Sequence, residues 1–118
     1  MMSRPLVKKI MEMPPQEVNM DGVKNTTIRK VFTSKDGAPT FAMRLFEVAP
    51  GGHTPLHTHP HEHEVYIVEG KATMQMKDAS KVLEAGDAVF VPPQALHQFR
   101  NDSDQSLRFL CFVPVEAS

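Results

Sequence analysis

The chain has 118 residues and a formal net charge of -1 at pH 7, with 41% apolar and 23% charged residues. A chain of this length encloses one hydrophobic core and divides poorly into two, so we predict a single domain. The near-neutral charge provides no basic surface for nucleic acid or an acidic membrane, and no apolar run is long enough to span a bilayer.

The first twenty residues are the least regular part of the sequence. They contain no apolar stretch as long as that of a secretory signal, so we predict a cytoplasmic protein. Residues 6–11 (LVKKIM) are predicted to form a strand, and residues 13–22 (MPPQEVNMDG) to form turns. We interpret residues 1–20 as an N-terminal segment, either a tail or an arm that adds a strand to a neighbouring subunit. Residues 21–118 then form the single domain.

The rest of the chain is predicted to form short strands separated by turns. Ten prolines, six glycines and the absence of apolar residues at helical spacing argue against a helical protein. The strands are predicted at VKNTTIRKVF, TFAMRLFEV, EVYIVEG, KATMQM, KVLEAGD, AVFVPP, LHQFR and LRFLCFVPV. Short strands at regular spacing predict an all-β fold, which is a sandwich or a barrel.

Two apolar features accompany these strands. Cys111, the only cysteine, lies in the apolar run FLCFVPV and is interpreted as a buried thiol, which suits a reducing compartment. Several apolar residues share strand faces, and the pattern fits a small apolar pocket and ordinary core packing equally well. These residues are Phe41, Met43, Leu45, Met74, Met76 and Phe99.

Histidines are concentrated in the middle of the chain. Five of the six lie between residues 53 and 63, and the sixth is His97 on a distant predicted strand. Imidazole is the commonest protein ligand for transition metals. Because His53 stands among glycines and His61 beside Pro60, we interpret these two as solvated loop residues.

Strand parity brings three of the remaining histidines together. Residues two apart in an extended chain point to the same face, so His57 and His59 can direct their rings at one point. His63 shares the inner face with the apolar residues that follow it, whereas Glu64 points outward. Three converging imidazoles predict a transition-metal site with one ligand still to be found. His97 taken alone is better explained as a satisfied core histidine.

The pattern resembles the two motifs of the cupin superfamily. The first motif has a glycine, two histidines, a glutamate and a second glycine, and this chain has His63 in place of the glutamate. The matching positions are Gly51, His57, His59, His63 and Gly70. The second motif is matched at Gly86, Pro92, His97 and Asn101, with Gln94 in place of a turn glycine. That replacement predicts either a positive φ at Gln94 or a remodelled turn.

The resemblance implies a cupin-type jelly-roll β-barrel, also called a double-stranded β-helix. Residues 59–64 (HPHEHE) are similar to the HPxEHE segment of small single-domain cupins of the conserved-barrel type, which have four histidines at the metal. The ligands so implied are His57, His59, His63 and His97, around one divalent ion of Mn, Fe, Ni, Co, Zn or Cu. Glu64 is the less suitable alternative, since placing it inward would turn the apolar residues after it outward. The resemblance also implies a homodimer.

Three functions fit these residues. The first is a metalloenzyme, either dioxygenase-like or isomerase-like, whose metal is chelated by a small oxygen-bearing substrate. The second is a non-catalytic module that binds or senses a small ligand, and the third is a structural metal site. Because no DNA-binding segment is attached, we favour the enzyme. No general base is identified, and Glu62 and Glu64 are as well explained as solvated surface charges.

Overall fold

The described part of the chain, residues 4–117 of a computed structural model, is built from strands and short 3-10 helices. The strands in these residues are β1 (Gln16–Glu17), β2 (Lys24–Phe32), β3 (Phe41–His53), β4 (His63–Glu69), β5 (Lys71–Gln75), β6 (Ser80–Glu84), β7 (Ala88–Val91), β8 (Gln98–Arg100) and β9 (Leu107–Pro114). The 3-10 helices are Ile10–Glu12, Ser34–Asp36 and Val115–Ala117. No helix within residues 4–117 is long and apolar enough to cross a membrane. The all-β prediction is confirmed.

One curled sheet contains all of these strands, and every pairing in it is antiparallel. Its strands follow the order β6-β5-β8-β3-β9-β4-β7, with β2 paired to β3 and β1 to β2. Strands distant in sequence therefore become neighbours, and β9 lies between β3 and β4. This order brings the histidines of β4 and of the segment before β8 to the same side of the sheet.

Alternation along the central strands separates the core from the outer surface. In β9 every second residue is buried, beginning with Leu107, and Phe109 and Cys111 follow on the same face. In β4 the inner residues are His63, Val65 and Ile67, and the residues between them are exposed. Because one face of each strand is apolar and buried, the register of the sheet is strongly specified.

The N-terminal segment differs from its prediction. Residues 6–11 are not a strand; this part of the chain is irregular and enters the 3-10 helix Ile10–Glu12. Lys8 Nζ donates to Val31 O at 2.7 Å and contacts Asp36 Oδ1 at 2.8 Å, which anchors the segment through a side chain. Conversely, β1 forms within the residues predicted as turns and pairs with β2 of its own chain.

Strand β3 is longer than predicted, since it continues through the Pro-Gly-Gly sequence at residues 50–52 to His53. A Cβ atom on Gly52 would lie 2.6 Å from Lys24 O of the neighbouring strand. Glycine at this position therefore permits a close approach of two backbones. The extension carries the strand to its pairing with β8 at His53 and Arg100, next to the histidine cluster.

Candidate metal centre

The histidine cluster lies in the wall of a cavity of about 420 Å³. Three phenylalanines from different strands supply its aromatic surface: Phe46 from β3, Phe99 from β8 and Phe109 from β9. The N-terminal part of the chain closes another side, with lining residues between positions 16 and 23. The lining thus combines apolar and aromatic side chains with imidazoles and a few other polar groups.

Of the six apolar residues that strand parity suggested for a pocket, only Phe99 lines the cavity. The lining residues of β3 are Arg44 and Phe46, so Phe41, Met43 and Leu45 lie on the opposite face of the strand. Met74 packs in the hydrophobic core, with partly buried Met76 against it. Both faces of β3 carry apolar residues, and parity alone does not identify the inner one.

Three histidines offer nitrogen atoms within 4.8 Å of one another: His57, His59 and His97. Their ring centroids are 5.1 Å apart for His57 and His59, 5.0 Å for His57 and His97, and 4.9 Å for His59 and His97. Nitrogen atoms this close converge on one small volume. Such a donor set fits a transition-metal ion.

His63 of β4 is not a member of this three-histidine group but lies close to two of its members. Its ring centroid lies 5.0 Å from that of His59 and 4.8 Å from that of His97, and its Nε2 atom is 3.1 Å from Nε2 of His97. Two nitrogens bound to one ion at about 2.0–2.1 Å are separated by roughly 3.0–3.4 Å, depending on the angle between them. The observed separation fits a pair of ligands on a common ion.

Acceptors outside the cluster orient the rings. His59 Nδ1 lies 2.7 Å from the carbonyl oxygen of His61, and His97 Nδ1 lies 2.9 Å from that of Ala95. A carbonyl can only accept, so each Nδ1 carries the proton and each Nε2 keeps a free lone pair for a metal. His63 Nδ1 lies 3.1 Å from Cys111 Sγ, where burial raises the pKa of the thiol and keeps it uncharged.

Backbone contacts hold the two histidine-bearing loops together. His57 and His97 form an isolated bridge, in which each backbone N–H donates to the other's carbonyl at 3.2 and 3.1 Å. Gln94 N donates to His59 O at 2.8 Å. Gln94 has a φ of 66°, so the turn keeps a left-handed residue although glycine is replaced. This result decides between the two alternatives predicted for Gln94.

Burial keeps three of the rings, those of His57, His63 and His97, neutral by lowering the pKa of each. Burial, and then the neighbouring histidines His97 and His59, lower the pKa of His63 to about 3 and that of His57 to about 4. Burial also lowers the pKa of His97, although its bond to the Ala95 carbonyl opposes this effect. Neutral imidazole is the form that coordinates a metal, so no proton has to leave these rings at neutral pH.

Two histidines predicted as solvated loop residues have other surroundings. His61 lines the cavity and stacks on His59, with ring centroids 3.9 Å apart and planes 3° apart. His53 is half-buried at the end of β3, where its Nδ1 lies 3.2 Å from Thr54 O. No sequence pattern indicates the stacking of His61, because the stacking depends on the path of the loop around Pro60.

Arg44 is a cavity residue that strand parity did not predict. It lies on β3 opposite Cys111 of β9, and its Nη2 atom donates to Cys111 Sγ at 3.3 Å. Its guanidinium carbon is 5.1 Å from the centre of the Phe46 ring. The same inner face of β3 therefore supplies a cation and an aromatic ring.

The sequence pattern of the cupin domain family matches residues 44–113, which is more than half of the chain. The chain belongs to the cupin family. Its fold is confirmed as the cupin jelly roll by solved structures, including the polyketide cyclase RemF from Streptomyces resistomycificus. The two structures superpose with a TM-score of 0.88 at 35% sequence identity. The superposition covers 98% of this chain and 80% of the RemF chain.

Curated relatives of this cupin have different activities. It is 40% identical to 1-methylthio-D-xylulose 5-phosphate methylsulfurylase of Rhodospirillum rubrum. The alignment of 88 residues covers 75% of this chain and 56% of that relative. This chain is 30% identical to an auxin-binding protein of Nicotiana tabacum. The alignment of 104 residues covers 84% of this chain and 49% of that protein. The chain spans about half the length of these relatives.

Proposed function

We propose that this cupin is a metal-dependent enzyme that acts on a small oxygen-bearing molecule, as dioxygenases and isomerases do. The proposed ligands of one divalent transition-metal ion are His57, His59, His63 and His97. The observation that carries the proposal is the 3.1 Å separation of the His63 and His97 Nε2 atoms, beside the three-histidine group and in the wall of a cavity. Similarity to a methylsulfurylase and to a polyketide cyclase supports an enzyme.

Four neutral imidazoles leave the full +2 charge on a divalent ion, one unit more than three histidines and a glutamate would. When bound, such an ion is a Lewis acid that polarises ligand oxygens and lowers the pKa of bound water. The protein's own contribution is positional. Carbonyl groups fix the His59 and His97 tautomers, and the aromatic walls exclude water from a ligand.

The identity of the metal stays open among Mn, Fe, Ni, Co, Zn and Cu. Imidazole ligands favour late divalent metals by intrinsic affinity, so purification on a nickel matrix can replace the working ion. Similarity to cupins favours an octahedral ion with two positions left for a chelating ligand. A tetrahedral zinc ion would be closed by four histidines and would favour a structural role.

One observation favours a non-catalytic binding module as the second candidate. Among the described residues that line the cavity, Glu17 is the only carboxylate, and it is exposed. The histidines are committed to the proposed metal, so a general base is not evident at the ligand. The similarity to auxin-binding proteins points in the same direction.

The two candidates are separated by one experiment. The protein is purified without added nickel, its metal is identified by elemental analysis, and turnover is followed with a panel of dicarbonyls, hydroxyacids and enols. Metal-dependent turnover that is lost in His63→Ala supports the enzyme. Stoichiometric binding without turnover of any member supports the binding module, and a wild type that holds no metal and binds no member of the panel refutes both.

We also propose that the protein forms a homodimer. Three large apolar side chains are exposed on the outer face of neighbouring strands: Phe41 of β3, Tyr66 of β4 and Phe90 of β7. Phe112 of β9 lies between them and contacts the Phe41 ring at a centroid distance of 6.5 Å. Exposed Glu64, paired with both Phe112 and Phe90, interrupts this face. Exposed aromatic side chains grouped around one charge are typical of a protein–protein contact.

A further inference from the structure

We propose that Arg44 makes the cavity a receptor for a small organic acid, whose carboxylate pairs with the guanidinium while its other oxygen atoms face the histidines. The inference rests on the proposed function, since it names the class of molecule that reaches the metal centre. It starts from the position of Arg44 in the cavity wall, beside the phenylalanine rings and directly opposite Cys111.

Arg44 has no anionic partner among residues 4–117. Its single hydrogen-bond acceptor there is Cys111 Sγ, and sulfur is a weak acceptor. Its Nε atom is buried and has no hydrogen-bond partner in the same part of the chain. A guanidinium has five N–H donors, and withdrawing them from water without acceptors costs free energy. A ligand that supplies an anion would recover this cost.

Each of the other strand arginines lies near a carboxylate among residues 4–117, which distinguishes Arg44 from them, although Nη1 of Arg29 is also buried without a hydrogen-bond partner. Arg29 and Arg108 both lie within salt-bridge distance of Glu47, at 3.8 and 2.6 Å. Arg100 lies 3.5 Å from a carboxylate oxygen of Asp102. Carboxylates therefore neutralise the charge of these three arginines. The charge of Arg44, in the cavity wall, is not neutralised by a carboxylate among residues 4–117.

The guanidinium is also close enough to the histidines for one small molecule to reach both. Cys111 Sγ contacts Arg44 Nη2 at 3.3 Å and His63 Nδ1 at 3.1 Å, so a single sulfur atom separates the two side chains. Lys30 adds a second cation to the lining. With a divalent ion in place, positive charge would exceed negative charge in the cavity and would attract an anion.

The walls favour a carboxylate on an apolar or aromatic body over a phosphate. Phe46 and Phe109 stack with centroids 5.2 Å apart, and Phe99 lies 5.1 Å from Phe109. A planar guanidinium pairs bidentately with a carboxylate and with a phosphate alike, so the preference for an organic acid rests on these apolar rings. Phosphate sites commonly use a helix N-terminus, and the helices within residues 4–117 are only three-residue 3-10 turns.

The test compares two probes of the same size, salicylate and salicylamide, by titration calorimetry on the purified protein. Arg44→Gln is expected to weaken salicylate binding by about tenfold or more and salicylamide binding by less than about threefold, since only salicylate carries the carboxylate. Arg100→Gln is the matched control and is expected to change neither affinity. Arg44→Lys, which keeps the charge and loses the planar fork, is expected to weaken salicylate at least about threefold.

Several results would overturn the inference. They are a wild type that binds neither probe, an Arg44→Gln protein that binds salicylate as the wild type does, and inorganic phosphate that binds more tightly than salicylate. If Arg44→Gln does not fold, Arg44→Lys takes its place. An Arg44→Lys protein that binds salicylate with the affinity of the wild type would also overturn the inference. Elemental analysis separates this inference from the proposed function. A metal-loaded wild type without a preference for salicylate refutes only the acid receptor, and an Arg44-dependent preference in a metal-free wild type refutes only the metal centre.

Discussion

The Nε2 atoms of His63 and His97 lie 3.1 Å apart, although 34 residues separate them in the chain. One belongs to β4 and the other to the segment before β8, and these strands are not neighbours in the sheet. Two unprotonated ring nitrogens repel each other at this distance, so the arrangement is stable only with a proton or a cation between them. A metal ion satisfies both lone pairs at once.

Removing His63 is therefore expected to release the metal. We predict that His63→Ala lowers metal content to well below half of the wild-type value, whereas Glu64→Ala, which changes an exposed residue of the same strand, retains it. Elemental analysis after dialysis measures both. Equal metal retention in the two variants would remove His63 from the ligand set.

Acid is expected to destabilise the metal-free protein. Burial holds the pKa of His63 at about 3, below the ordinary value of 6.5, so the unfolded chain takes up its proton first as the pH falls. Stability is complete above about pH 6.5 and declines toward pH 3. His63 alone is expected to remove about 2 kcal/mol between pH 6.5 and 4.5. Urea unfolding of chelator-treated protein at several pH values measures this loss.

Acidic residues also contribute to acid unfolding, so a variant is needed to isolate the histidine. His63→Gln has no titrating ring, and its free energy of unfolding is expected to depend less steeply on pH over the same interval. Identical slopes for the wild type and this variant would show that His63 is not held neutral by the fold.

The turn at Gln94 is expected to be more stable with the glycine that the cupin motif has there. Gln94 has a φ of 66°, where a side chain clashes with its own backbone and glycine does not. We predict that Gln94→Gly raises the free energy of unfolding by about 0.5–1 kcal/mol. The control is Gln105→Gly, at an exposed position without a positive φ, which is expected to lower it. Thermal denaturation distinguishes these outcomes, and a destabilised Gln94→Gly would contradict the prediction.

Two glycines of the first cupin motif are expected to differ sharply in their tolerance of a methyl group. Gly51 and Gly70 have φ values of 79° and 85°, but a Cβ at Gly51 meets no atom within 4 Å, whereas one at Gly70 would lie against the Ser106 carbonyl oxygen. Gly51→Ala is expected to cost about 1 kcal/mol, from backbone conformation alone. Gly70→Ala is expected to cost at least about 3 kcal/mol, because the clash with backbone adds to it. Denaturant unfolding of both variants measures the difference, and similar costs would refute it.

The proposed dimer is expected to depend on the outer face of the sheet. Phe90 is 55% exposed on β7, and Phe90→Glu is predicted to convert the protein from twice the mass of one chain to a single chain in light scattering. Val82→Glu alters a residue that is 64% exposed on β6, at the other end of the strand order, and is predicted to leave the mass unchanged. A monomeric wild type would exclude the dimer.

Alternation of apolar and polar residues was sufficient to predict most strands and the orientation of His63. It works in β4 because the residues between His63, Val65 and Ile67 are exposed. In β9 both faces carry apolar residues, and the strand is predicted from its apolar run instead. Alternation failed on β3, where Leu45 on the outer face is as buried as a core residue. Burial there depends on tertiary neighbours, which periodicity does not encode.

Other features were not predictable because they depend on contacts between distant residues. The strand predicted at residues 6–11 is absent, since Lys8 is held by Asp36 and by the Val31 carbonyl rather than by backbone pairing. The unpaired guanidinium of Arg44 is evident only once the carboxylates are located in space. The family motif, in contrast, matches His57, His59 and His97 by spacing, whereas His63 stands where the motif has a glutamate and was chosen from strand parity and from the HPxEHE resemblance.

The contact between His63 and Cys111 joins the imidazole cluster directly to the hydrophobic core, since Cys111 packs among Val65, Phe109 and Val113. No layer of flexible side chains separates the two. A change of volume at these interior positions would therefore alter the spacing of the nitrogens as well as the packing of the barrel. We therefore expect a substitution at Cys111 to change both the free energy of unfolding and the affinity for the proposed metal.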